Sequence, residues 1–293
     1  MVIPAYQAEA FLGETLQALQ AQSLPDWEAW VVDDGSTDGT ATLARQWADQ
    51  DSRIHVLEQP NQGPAAARNL ALARCQAPFV LFLDSDDLLL PHALARLVAV
   101  LEAKPQALAI YGRYETFGSG HQPTAPPLNR EGTFRHRMLA CVPQGLHIST
   151  FLVRREAVHA IGGWDESLSV SADWMFWVAL GIAHPGQAVM VCDELTLRVR
   201  RHGGQLSRQI VRMEADMVLA QRKARRQGAY RSWAYYRRCR SIFALVLAAS
   251  YIRNAGRWGA GLRCALEALM WHPGPVVERL LGLLVKRGGA AGL

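Results

Sequence analysis

No stretch of this 293-residue sequence stays apolar for the ~18–20 residues that a bilayer-spanning helix needs. The longest candidate, Ile242 to Ile252, falls short of that length and is bounded by Arg240 and Arg253. Cysteine is sparse and poorly placed for staples. Cys75, Cys141, Cys192, Cys239 and Cys264 are odd in number, scattered and never spaced as CxxC, which argues against a disulfide framework and a zinc site. No GxGxxG follows the first strand-like segment, so a nicotinamide cofactor is disfavoured. Met1-Val2-Ile3-Pro4 has neither the basic start nor the long apolar run of a secretory leader. These absences lead to the expectation of a cytoplasmic chain. Acidic residues are scarce in one region. Between Leu197 and Arg240 stand 13 of the 31 Lys and Arg, against only Glu214 and Asp216. Such a run favours an anionic partner, and it describes a solvated helix face equally well.

What is present is ordinary globular composition: half the residues are hydrophobic and 19% are charged. The first hundred residues alternate strand-like and helix-like segments. Glu28 to Val32, Ile54 to Leu57 and Phe79 to Leu83 read as strands. Ala8 to Gln22, a segment through about Ala48, Ala65 to Cys75 and His92 to Ala103 read as helices. That rhythm predicts an α/β fold with a mostly parallel sheet flanked by helices, followed by a helical appendage. Gly112 to Gly145, rich in Pro and Gly, reads as a long surface excursion over the site. A soft boundary near residue 205 divides a domain over 1–205 from a basic helical region over 206–293. Within the first, 1–105 reads as the donor half and 106–205 as the acceptor half.

Three strand ends carry polar clusters, and ligands of open α/β sheets bind beyond the carboxyl ends of strands. Asp84-Ser85-Asp86-Asp87 follows a buried strand. Carboxylates at i and i+2 can share one hard cation such as Mg²⁺ or Mn²⁺, and the same cluster could cap the helix near Pro91. Asp33-Asp34-Gly35-Ser36 offers a carboxylate to a base or ribose, or simply a capped turn. Gly63-Pro64-Ala65-Ala66-Ala67-Arg68-Asn69 places Arg68 one turn into a helix, where it could reach a diphosphate or only solvent.

Taken in order with Pro4-Ala5-Tyr6-Gln7-Ala8, these motifs resemble the non-processive, inverting members of glycosyltransferase family 2, which have the GT-A fold. The resemblance covers about residues 1 to 205. It implies that Pro4, Ala5, Tyr6, Asp33 and Asp34 hold the nucleotide. It makes Asp84 and Asp86 the metal-binding pair, with Asp86 the more direct ligand and Ser85 between them in the donor site. Asp173, just before the aromatic Trp174-Met175-Phe176-Trp177, takes the family's catalytic-base position, which an N-cap role would not preclude. Asp165 and Glu166 are the alternatives. Arg198-Val199-Arg200-Arg201-His202-Gly203-Gly204-Gln205-Leu206-Ser207 resembles the segment that closes over the diphosphate, which implies that Arg201 and His202 stabilise the leaving group.

Two features depart from the family. Only three residues precede Pro4, and Gln7 stands where Asn is common. Asn254-Ala255-Gly256-Arg257-Trp258 repeats only the end of the processive QxxRW motif and reads as chance.

The resulting expectation is transfer from a nucleoside-diphosphate sugar to a glycan or lipid-linked acceptor. A divalent metal is the cofactor, and nucleic acid is not expected as a partner. An anionic membrane surface, met through the basic aromatic stretch 208–240, stands beside the simpler reading of that stretch as a lid packed on the catalytic domain. A non-catalytic sugar-nucleotide or glycan-binding module on the same fold is the alternative from another class. A receiver-like phospho-switch is disfavoured by length and by the lack of a suitable lysine after a later strand.

Overall fold

A computed structural model describes residues 1–118, 147–202 and 210–276 of the chain. The expected rhythm is present in the first half: β1 (Val2–Ala5), α1 (Glu9–Gln20), β2 (Ala29–Asp33), α2 (Thr40–Gln50), β3 (Ile54–Glu58), α3 (Pro64–Leu72), β4 (Phe79–Leu81), β5 (Leu88–Leu89) and α4 (Ala93–Ala103). There follow β6 (Ala107–Phe117), a single 3₁₀ turn (Ile148–Thr150), β7 (Phe151–Arg154), α5 (Arg155–Ala160), α6 (Ala172–Ala183) and β8 (Ala188–Arg200). Three helices complete the described residues: α7 (Ile210–Arg226), α8 (Trp233–Ala255) and α9 (Trp258–Trp271).

Strands β1, β2 and β3 form a parallel sheet with β2 in the middle. The other five run in the order β4-β7-β6-β8-β5, and here only the β6–β8 pair is parallel. A parallel bridge between Val2 and Phe82, with Leu83 N–H donating to Val2 O at 2.9 Å, joins the two sheets. The parallel character expected from the sequence therefore belongs to the first half, and the second half is mixed.

Side chains alternate along these strands, and the core follows that period of two. Ile3, Val31, Leu81 and Leu83 face a core shared with α1 and α4, whose Leu12, Leu16, Leu19, Leu94 and Leu97 are fully or nearly fully buried. Val2, Val32, Val80 and Phe82 face the opposite core, which is built on α3 and α6. That second core continues into the appendage through Met217, Ala220 and Ala224 of α7 and Phe243 and Leu247 of α8.

Two expectations are corrected here. Gly112 to Phe117 is not part of a surface excursion but the second half of β6, where Gly112 lies against Thr196. A β-carbon at 112 would meet the Thr196 side chain, so the glycine allows the strands to close. The rest of that segment, 119–146, lies outside the described residues, as do 203–209 and with them the expected boundary near 205. Arg198 and Arg200, read as the start of a closing segment, belong to β8.

Candidate active site

The ends of β1, β2 and β4 lie side by side, so their three loops meet at one edge. β1 ends at Ala5, and Tyr6 beyond it is 52% exposed, an aromatic face open to solvent at the rim. Gln7 adopts the left-handed region with φ of 51°, and its N–H donates to Ser36 Oγ at 3.0 Å. Asn tolerates that conformation better than most residues, and here a Gln adopts it.

The two carboxylates after β2 behave differently. Asp34 is buried and fully engaged. Its Oδ1 accepts from Gln59 Nε2 at 2.7 Å and Gln62 N–H at 2.9 Å, and its Oδ2 accepts from Gly63 N–H at 2.8 Å. It fastens the β3–α3 loop. Gly35 turns at φ of 75°, and a β-carbon there would stand 2.7 Å from the Asn61 backbone nitrogen, so the two loops can approach only at a glycine. Asp33, also buried, accepts from Ser36 N–H with Oδ2 at 3.2 Å, but its Oδ1 has no hydrogen-bond partner.

The third loop holds the acidic cluster. Asp84 Oδ1 accepts from Arg68 Nη2 at 2.8 Å, and Asp86 Oδ2 lies 2.8 Å from His202 Nε2. Asp87 is buried and accepts from Ser149 Oγ at 2.8 Å and Arg200 N–H at 3.2 Å. Burial raises its pKa well above the usual carboxylate range, and the neighbouring Asp84 and Asp86 raise it further. Arg200 also reaches Asp86 O at 3.0 Å and Glu14 at 2.7 Å, while Thr15 of α1 donates to Ser85 O at 2.9 Å. Asp84, Asp87 and His147 can bring ligand atoms within 4.8 Å of one another, the one such grouping among the described residues. The expected pair, Asp84 and Asp86, thus splits between that grouping and the His202 contact.

Arg68 is held on both sides. Beyond Asp84, its guanidinium lies 4.3 Å from the Trp164 ring centroid, and its Nε is buried without a partner. Trp164 stacks on Phe176 at 4.4 Å, and Phe82 meets both rings edge-on. Such aromatic pairs contribute about 0.5–1.5 kcal/mol each beyond area burial. They fix α6, because Trp174, Phe176 and Trp177 are all buried, and so they set the position of Asp173 in its first turn.

Asp173 reaches solvent, yet it is closely surrounded by protein. That desolvation raises its pKa, against the Trp174 N–H bond to Oδ1 at 2.7 Å and the charges of Arg68 and His147. The rival carboxylates are committed elsewhere. Asp165 binds Lys223 Nζ at 2.7 Å and Ser167, and Glu166 accepts from Asn69 at 2.7 Å. Burial pushes Asp165 up, but Lys223 and Ser167 outweigh it and hold its pKa below the usual value.

The structure therefore gathers Arg68, Asp84, Ser85, Asp86, Asp173 and His202 at one edge with Tyr6, Asp33 and Asp34, with Asp34 engaged by the β3–α3 loop. Arg201 is partly buried, and its N–H donates to Phe117 O at 2.7 Å. Pro4 and Ala5 are the strand residues beneath the rim. His147 and Ser149 were missed. His147 stands with Nδ1 3.4 Å from Asp87 Oδ2 without hydrogen-bond geometry, and burial lowers its pKa. A lone histidine at the end of a Pro/Gly-rich stretch carries no spacing that would single it out. A cleft of about 540 Å³ lies nearby, between Asn61–Pro64, Glu166–Ser169 and α7, and none of the acidic cluster lines it.

Comparison with known proteins gives this geometry a family. The chain is 46% identical over 88 residues to TuaG of Bacillus subtilis (strain 168), a protein whose name ascribes to it a glycosyltransferase role in teichuronic acid biosynthesis; the match covers 30% of this chain and 35% of that one. It is 34% identical over 169 residues to the O-antigen biosynthesis protein RfbC of Myxococcus xanthus, covering 57% of this chain and 13% of RfbC. The chain thus spans about a third or less of these relatives' length. In structure it resembles S. aureus TarS 1–349 in complex with UDP, with a TM-score of 0.65 at 20% identity over 87% of this chain and 72% of TarS 1–349. It also resembles the mannosyltransferase PcManGT from Pyrobaculum calidifontis in complex with GDP-Man and Mn²⁺, with a TM-score of 0.58 at 18% identity over 92% of this chain and 86% of PcManGT. The model of glycosyl transferase family 2 matches residues 1–162, more than half of the sequence. With the acidic loop, the arginine and the α/β sheet edge in that span, the chain belongs to glycosyl transferase family 2.

Proposed function

We propose that this protein transfers a sugar, with inversion, from a nucleoside-diphosphate sugar to an acceptor hydroxyl in the synthesis of a cell-surface polysaccharide, lipopolysaccharide or glycolipid. The observation that carries the reading is the convergence, at one sheet edge, of unpaired donor and acceptor atoms around an acidic cluster. Buried polar atoms are nearly always paired, so unpaired ones at a site call for a ligand. Asp33 Oδ1 and Arg68 Nε are two such atoms, and His147 Nδ1, 3.4 Å from Asp87 Oδ2, makes no hydrogen bond.

Each fits one part of a donor. Tyr6 offers its exposed ring to a base, and Asp33 Oδ1 accepts from a base N–H or a ribose hydroxyl. UDP is favoured because the fold neighbour TarS is seen with UDP and with UDP-GlcNAc. Arg68, fixed by Trp164 and Asp84, presents positive charge toward a diphosphate. His202, held by Asp86, adds a donor on the other side of the acidic loop. Asp34 acts indirectly, holding the loop that begins α3.

The acidic loop fits a divalent cation, Mg²⁺ or Mn²⁺. Asp84, Asp86 and Asp87 place three carboxylates within four positions, and their oxygens are hard ligands. Asp84 and Asp86 would hold it with Asp87 and His147 close behind, and it would supply charge that neutralises the departing diphosphate. Asp173 takes the proton from the acceptor hydroxyl as that oxygen attacks the anomeric carbon from the face opposite the diphosphate. Its raised pKa suits a base, since a more basic carboxylate draws the proton more strongly.

Thermal-shift and donor-hydrolysis assays across UDP-, GDP- and dTDP-sugars with Mn²⁺ test the proposal. Stabilisation and slow hydrolysis of one donor, with UDP-sugars first, are expected. Stabilisation by a donor that is never hydrolysed or transferred would leave a sugar-nucleotide-binding module instead.

A further inference from the structure

Among the described residues, α9 carries the most exposed apolar face. Trp258 is 71% exposed, Leu262 62%, Leu266 53%, Leu269 43% and Met270 73%. Their spacing of four, four, three and one keeps all five within about a third of the helix circumference at 100° per residue. The opposite side, Gly261, Cys264 and Ala268, is buried on α8, and Gly261 permits that contact because a β-carbon would meet Ile252. Among the described residues nothing covers the exposed stripe, and contiguous apolar surface of this kind marks a docking site.

The charge around the stripe names the occupant. From Met217 to Trp271 the sequence has eleven Lys and Arg against a single acid, Glu267. Arg257 stands exposed at the start of α9. At the other end Arg237 donates to Trp271 O at 2.7 Å and Met270 O at 3.1 Å. Trp233, 51% exposed, lies edge-on to Trp271 and beneath the Arg225 guanidinium at 4.2 Å. Indole rings at both ends of a leucine stripe about 21 Å long, with arginines beside them, match the boundary between acyl chains and headgroups. A second copy is disfavoured, because the facing surfaces would bring together like charges, the acids beside the stripe, Glu267 and Glu214, being already paired with Arg240 and Arg263. Nucleic acid would satisfy the charge but leave the leucines and methionine exposed.

We propose that α9 docks on an anionic phospholipid bilayer, inserting the Trp258–Met270 stripe while the surrounding arginines face the headgroups. Of the 208–240 stretch, Ile210, Met217 and Tyr236 are buried against the rest of the chain, while Trp233 stands at the exposed face beside the stripe. This inference does not depend on the transferase reading; joined to it, docking brings the active site to the surface where lipid-linked acceptors lie.

The test is co-sedimentation of the whole protein with sucrose-loaded vesicles of phosphatidylcholine alone or with one-third phosphatidylglycerol, at low and high salt. Binding to the anionic vesicles, weakened by salt, is expected. The variant Trp258→Ser/Leu262→Ser/Leu266→Ser should partition at least ~10-fold less, since each side chain removed from the acyl boundary loses apolar burial. Val211→Ser, an exposed apolar position outside the stripe, should bind like the parent. Absence of vesicle binding by the parent, or equal binding by the triple variant, overturns the proposal. So does a concentration-dependent dimer, seen by sedimentation velocity, that the triple variant abolishes, or a DNA duplex shift in a parent that ignores vesicles. Donor hydrolysis in the same samples reports the transferase reading separately, and the triple variant should leave it unchanged.

Discussion

Replacing Asp34 with alanine separates a tether from a donor ligand. The carboxylate is 2% exposed and accepts hydrogen bonds from Gln59 Nε2, Gln62 N–H and Gly63 N–H at 2.7–2.9 Å. In the alanine variant two backbone N–H groups lose their acceptor at once. An unsatisfied donor costs about 1–3 kcal/mol, and the bonds here are to a charged acceptor. Gln62 and Gly63 lie near the surface, where water recovers part of that loss, so a net destabilisation of about 3–5 kcal/mol is expected. For a chain of this size about 2 °C is lost per kcal/mol, so Tm should fall by about 6–10 °C. Asp34→Asn keeps one acceptor oxygen and should lose less than half as much. Differential scanning calorimetry gives Tm. Hydrogen exchange should show faster exchange at Gln62 and Gly63, the two amides released. A Tm within about 2 °C of the parent, with a rise in donor KM alone, would refute the tether and return Asp34 to the nucleotide site.

Asp173→Asn should leave UDP-sugar affinity near normal while kcat falls at least ~10²-fold, the low end for loss of a general base; an unchanged kcat would move the role to Asp165 or Glu166. Because burial raises the Asp173 pKa and the ionised form is the base, kcat should fall on acidification with its midpoint above the ordinary carboxylate value, and the Asn variant's residual rate should lack that limb. Asp86→Ala should cut turnover by at least ~10²-fold and weaken Mn²⁺ binding measured by electron paramagnetic resonance, and EDTA should inhibit the parent reversibly. Full activity of that variant without added metal would remove the cation from the mechanism.

Much of the site was legible in the sequence because its motifs are local. Each sits within a few residues of a strand end, and strand period plus turn chemistry put those ends at one edge. The acidic loop, Arg68, Asp33 and Asp173 could thus be named from the residues and the family they resemble. Asp33 and Asp34 could not be told apart, since adjacent carboxylates in a tight turn point in different directions and only the packing of the β3–α3 loop decides which is satisfied. His147 and Ser149 were beyond reach, because they meet Asp87 across 60 or more positions and nothing in their own neighbourhood marks them. The same limit applied to the appendage. Its basic, aromatic composition was visible, but composition does not say which helix face a fold consumes. The sequence by itself determined the alternation, the strand-end chemistry and the charge of the appendage, all of which depend on spacing of two to four residues. The tertiary structure alone decided which carboxylate is a tether, which histidine joins the acidic loop and which helix keeps its leucines in water, because each depends on contacts between segments far apart in the chain.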